Sequence, residues 1–135
     1  MKSIQVNNYS LNFYPIPKGQ IHYRVDWDKK PHRNQFVKNG VTTINIDISQ
    51  DIWIGETLIT QKIWTEIIGN NPSKFKGADK PIENISYNEI IEFIGKLNAI
   101  TNNKFRLLKE SEFIYASILN YDNNFQYNLN DIVWF

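Results

Sequence analysis

Histidine is the side chain most suited to moving a proton or holding a metal near neutral pH. It occurs twice, as His22 and His32, with Asp26 and Asp28 between them. Two imidazoles and a carboxylate are the donor set of non-haem iron enzymes. Here the surrounding residues, Val25 to Asn39, are polar and follow neither a helical nor a strand period, so nothing sets the donors on one face. The stretch reads as a solvated loop. The same shortage of bases weakens a Ser/His/Asp arrangement, and no Gly-x-Ser-x-Gly elbow is present to expose a nucleophile. Cysteine is absent altogether, which excludes thiolate metal sites, thiol nucleophiles and disulfides formed by this chain.

Other candidate chemistries are weighed in the same way. Asp122, Asn123, Asn124, Asn128, Asn130 and Asp131, within the Asn120 to Asp131 stretch, offer hard oxygens suited to calcium. Their spacing is not that of an EF-hand, and no Gly stands at the bend. Glu110 and Glu112 begin an apolar-periodic run, where carboxylates meet the positive end of a helix dipole; structural use outweighs acid/base use. Trp27, Trp53, Trp64 and Trp134 could stack on sugars or bases, but three of them stand beside apolar residues in regular structure, which favours core packing. The six glycines are dispersed as single turn or cap positions and do not cradle phosphate. These residues therefore supply no catalytic, cofactor-binding or metal-binding set, and no cofactor is expected.

The elements that would position such residues are legible in part. Leu11, Phe13 and Tyr14 read as a strand running into the turn Pro15-Ile16-Pro17-Lys18-Gly19. From Gly40 to Ile48 the pattern alternates, with Ile44, Ile46 and Ile48 on one face and Thr43, Asn45 and Asp47 on the other. The second half is helical. Thr60 is placed to cap Gln61 to Ile68, whose apolar face is Ile63, Trp64, Ile67 and Ile68, and Gly69 stands where a helix ends. Ser86 and Glu89 form a capping box before the stripe Ile90, Phe93, Ile94, Leu97. A third helix covers Glu110 to Leu119, with Phe113 and Ala116 inward.

The whole chain has 135 residues, 41% of them hydrophobic and 14% aromatic, which suits one domain with one core. With 15 basic and 14 acidic residues the net charge is +1, so no bulk field attracts nucleic acid or anionic lipid. No run of apolar residues is long enough for a membrane span or a leader. The expectation is a bacterial, cytoplasmic protein without nucleic-acid or membrane partners.

One resemblance emerges from residue 54 onward. Ile54 to Gln61, Trp64, Ile68-Gly69-Asn70-Asn71-Pro72-Ser73-Lys74-Phe75-Lys76-Gly77, Pro81 to Tyr87, Leu97-Asn98, Phe105-Arg106-Leu107 and Glu110 to Ala116 resemble, in order, the N-terminal half of the formylglycine-generating enzyme (sulfatase-modifying factor) family. That resemblance implies an irregular α+β fold of the C-type-lectin-like kind, incomplete here, formed by residues 1–135 as a single shortened domain. It also exposes departures. The family's catalytic members hold copper with a pair of cysteines, and a related branch holds iron with three histidines; this chain has neither set. Leu108 and Lys109 replace the expected Pro and Thr, so the third helix lacks its usual Thr cap, worth about 1 kcal/mol. Arg106 is expected to pair with Glu112 or Glu83.

The functional expectation is accordingly a non-catalytic or degenerate member of that family, acting as a scaffold or interaction module. A protein partner or a second copy would complete the fold. The alternatives are one part of a split metal-dependent oxidase, and a lectin-like ligand-binding module with Asn120 to Asp131 as its recognition loop.

Overall fold

The computed structural model describes residues 1–26 and 41–121. It has five strands and three helices in these residues: β1 (Lys2–Val6), β2 (Tyr9–Ile16), β3 (Gly19–Asp26), β4 (Val41–Ile48), β5 (Ile52–Gly55), α1 (Gln61–Ile68), α2 (Tyr87–Thr101) and α3 (Glu110–Tyr121). The class is α+β. The chain divides into two compact units, one built from Met1–Pro15 and Trp53–Leu107 and the other from Ile16–Ile52 and Leu108–Phe135.

The first unit starts from a hairpin. β1 and β2 pair antiparallel, with Ile4 opposite Leu11 and Val6 opposite Tyr9. Between them Asn7 takes φ 49°, a left-handed conformation that Asn tolerates better than most residues. β5 completes a three-stranded sheet in the order β1-β2-β5. The sheet's alternation buries Val6 and Leu11. Helices α1 and α2 pack on each other, and α2 also packs on β1. Their apolar stripes close the core: Ile63, Trp64 and Ile67 from α1, Phe93 and Leu97 from α2. Trp64 and Phe93 stack with centroids 5.0 Å apart and planes 7° apart. Phe105 stacks on Phe13 at 5.4 Å and is held there by Asn98, which donates to its carbonyl (3.1 Å) and accepts from its amide (2.6 Å).

Helix ends agree with the sequence reading at Gly69 and at the Ser86/Glu89 box, and differ at two other places. Gly69 ends α1 at φ 90°, its N–H donating to Thr65. The Ser86/Glu89 box is complete, with the Glu89 carboxylate accepting from the Ser86 amide at 2.7 Å and the Ser86 hydroxyl accepting from the Glu89 amide. Asn102, at φ 51°, ends α2. Thr60, by contrast, makes no side-chain cap. The amides of Gln61 and Lys62 are served instead by the carbonyls of Lys80 (2.8 Å) and Ala78 (3.0 Å). At α3 the missing Thr is replaced from the other side: the Glu112 carboxylate reaches back to the Lys109 amide at 2.8 Å, half of a capping box.

The second unit pairs β3 with β4 antiparallel, Gly19 opposite Ile48 and Ile21 opposite Ile46, and packs α3 on β4. Ile46 and Ile48 are buried while Thr43, Asn45 and Asp47 are exposed, as the alternation predicts. Strand β3 extends through Val25 and Asp26, which the sequence placed in a loop. In α3 the inward residues are Glu112, Tyr115 and Ala116. Phe113, expected inward, is 57% exposed. Helical spacing explains the shift: once Ala116 and Glu112 define one face at i and i+4, Phe113 lies about 100° away from Glu112. Gly19 matters here because a Cβ at that position would collide with the Tyr115 hydroxyl.

Candidate functional site

The candidate site belongs to the first unit and is organised by Gln61. This residue stands one helical turn before Trp64, on the same side of α1, and is 1% exposed. A buried amide must spend all its hydrogen bonds, and Gln61 does. Its Nε2 donates to the carbonyls of Phe75 (3.0 Å) and Pro81 (3.1 Å), and its Oε1 accepts from Asn71 Nδ2 (2.9 Å) and the Gly77 amide (3.1 Å). The segment from Asn71 to Pro81 is thereby wrapped over the start of α1. Further ties complete it: Asn71 Oδ1 accepts from the Ser73 amide, the buried Ser73 hydroxyl accepts from the Glu83 amide, and the Glu83 carboxylate accepts from the Phe75 amide at 2.7 Å.

Between this wrapped segment, α1 and β2 lies an open groove of about 320 Å³ lined by Tyr9, Gln61, Lys62, Thr65, Glu66, Asn71 and Ala78. Lys62 is held by Asp79 at 2.5 Å, and its ammonium lies 5.8 Å from the centre of the Tyr9 ring, within cation–π range. Glu66 accepts from Asn7 Nδ2 at 2.7 Å. Thr65 gives its hydroxyl proton to the Gln61 carbonyl at 2.7 Å. The groove thus offers a phenol ring, a held cation and a held carboxylate.

The residues singled out from the sequence lie elsewhere. His22 is exposed on β3, its Nδ1 2.7 Å from Asn45 Oδ1. Glu110 and Glu112 stand in the first turn of α3, where Glu112 is buried. Trp64 is a core residue as expected, but Trp53 on β5 is 48% exposed, against the expectation of packing. The Arg106 guanidinium donates to the Leu107 carbonyl at 3.0 Å, and Glu83 is engaged by Phe75. Trp27, His32, Trp134 and the Asp122 to Asp131 oxygens lie outside the described residues. Among the described residues no group of three or more His, Asp or Glu side chains is placed to hold a metal ion, and no helix is long and apolar enough to cross a membrane. The sequence reading places Gln61 at the start of the first helix but gives it no buried role, although a Gln sharing the stripe of Trp64 and Ile68 was the available signal.

With this geometry in place, comparison with known proteins gives an α+β chain matched over part of its length. No protein-family model matches. Over 56 residues the chain is 38% identical to "Chaperone protein LppX" of Paenibacillus barcinonensis, a match covering 42% of this chain and 20% of that protein. The fold is similar to that of "Treponema denticola variable protein 1", with a TM-score of 0.54 and 26% identity, over 75% of this chain and 35% of that one. The chain therefore spans a fifth and about a third of these two proteins.

These findings correct the resemblance to the formylglycine-generating enzyme family. Neither similar protein carries that name and no family model supports it, so the family assignment and the descriptors attached to it are withdrawn. There is a physical reason why the motif misleads. Gln61, Asn71, Ser73, Glu83 and Ser86, which lie in the resembling stretches, all satisfy backbone groups of their own unit. Residues of that kind report a way of folding a loop onto a helix and not a chemistry.

Proposed function

We propose that this chain is a non-catalytic protein-binding module whose contact surface is the groove between α1, Tyr9 and the wrapped Asn71 to Pro81 segment. The observation that carries the reading is the fixed placement of the groove's recognition groups: Lys62 tied to Asp79 and lying over Tyr9, and Glu66 tied to Asn7. Side chains already held in position lose little further freedom when a ligand docks, which favours binding. The chaperone name of the 38% identical relative supports the same reading, since a chaperone's ligand is a polypeptide. Exposed Leu58, Phe75 and Tyr87 in the same unit add apolar surface of the kind that protein interfaces use.

The test is binding of a fluorescein-labelled library of random dodecapeptides to the full chain, followed by anisotropy. Thr65→Arg places a long side chain in the groove from an exposed helix position. It is expected to weaken peptide binding at least about tenfold, the equivalent of about 1.4 kcal/mol, with the thermal midpoint moved by no more than a few degrees. Unaltered peptide binding by a folded Thr65→Arg variant would remove the groove from the reading.

A further inference from the structure

The charges around the groove are unevenly matched. Of the two charged residues that line it, Lys62 is neutralised by Asp79 at 2.5 Å. Glu66 has no ion-pair partner among the described residues; its Oε1 accepts from the neutral amide of Asn7 at 2.7 Å, which orients the carboxylate without cancelling its charge. Glu66 also lies in the last turn of α1, which contains no basic residue, so the negative end of the helix dipole adds to its field. The Tyr9 ring stands in the same lining and offers a face against which an aliphatic stem can lie.

We infer that the groove takes a basic side chain, Lys or Arg, of a partner polypeptide, with the cationic head at Glu66 and the stem against Tyr9. This rests on the groove being the binding surface and adds the charge class of what it binds. A cation docked there gains a hydrogen-bonded partner whose geometry Asn7 already fixes. An acidic side chain would meet Glu66 with like charge and find Lys62 already occupied by Asp79.

Three matched dodecapeptides separate the outcomes, identical except for four central positions carrying Lys, Gln or Glu, each titrated into the full chain at 50 and 300 mM salt. The Lys peptide is expected to bind most tightly at low salt, by about three- to fivefold over the Gln peptide, the scale of one exposed ion pair, with the advantage shrinking at high salt. Glu66→Gln, a change at an exposed position, is expected to erase that advantage, bringing the Lys and Gln peptides to equal affinity at both salt concentrations. Asn7→Ala, which frees the carboxylate to move, is expected to reduce it by part. Equal binding of the three peptides, blocked by Thr65→Arg, would overturn the charge preference and leave the groove reading standing. An advantage that survives in Glu66→Gln would place the acidic contact elsewhere. No binding of any peptide would overturn both readings.

Discussion

At Gln61 a single amide satisfies groups that a loop would otherwise present to water. Two carbonyls, one backbone amide and the Asn71 side chain converge on it, and the residue is almost wholly buried. Replacing it by an apolar side chain strands several of these at once, and each buried polar group left without a partner costs about 1–3 kcal/mol. Gln61→Leu is therefore expected to destabilise the first unit by about 2–4 kcal/mol, some of the freed groups recovering water. Gln61→Glu is the sharper probe. It keeps an acceptor for Gly77 and Asn71 but turns the donor facing the Phe75 and Pro81 carbonyls into a second acceptor. Burial against carbonyls raises a carboxyl pKa, so this variant is expected to be as damaged as Gln61→Leu at pH 7 and to recover part of the loss at pH 4.5, where the protonated acid donates again. Urea midpoints at the two pH values measure it. A Gln61→Glu variant equally stable at both would mean that the donor bonds contribute little.

The helices were the most legible elements, because their signals are local. Gly69, the Ser86/Glu89 box and the stripe through Phe93 and Leu97 each lie within a few residues of what they control. The reading failed where a helix end is completed from a distance, as at α1, whose amides are served by Lys80 and Ala78 and not by Thr60. The Ser86 cap supplies its own test. The hydrogen bonds from the Ser86 hydroxyl and amide hold the Glu89 carboxyl below its ordinary pKa, the side-chain bond being the larger cause. A depressed folded-state pKa means that the unfolded chain takes up a proton first as pH falls. The cap's contribution is thus present above the ordinary Glu range near 4.3 and lost as the pH drops through the lower folded-state value. Glu89→Gln is expected to flatten that acid limb of the stability profile while α2 still forms. Urea midpoints from pH 7 to pH 3 should show the variant and the parent converging in acid; curves that stay parallel throughout would assign the acid loss to other carboxylates.

Long-range pairing is the part the sequence does not display. Strand β5 joins β2 across the whole length of the second unit's β3 and β4 in the chain, and Val6, Leu11, Trp64, Phe93 and Leu97 meet in one cluster although they come from four separate elements. Period-2 or period-3.6 patterns give the face of each element but not its partner, which is why the groove, assembled from Tyr9, α1 and the segment after it, was not visible beforehand. Trp64 is the residue on which this assembly depends most: it is 1% exposed and stacked on Phe93. Truncating a buried Trp or Phe costs about 3–5 kcal/mol through lost transfer energy and the cavity left behind, a large share of the 5–15 kcal/mol that holds an ordinary domain. Trp64→Ala is therefore expected to lower the denaturation midpoint steeply and to abolish peptide binding in the groove with it, since α1 supplies both. Trp64→Phe keeps a ring against Phe93 and is expected to lose less than half as much. Denaturant unfolding followed by far-ultraviolet circular dichroism, with peptide anisotropy on the same samples, measures both effects. A Trp64→Ala chain that stayed folded and bound peptide normally would separate the groove from the core beneath it.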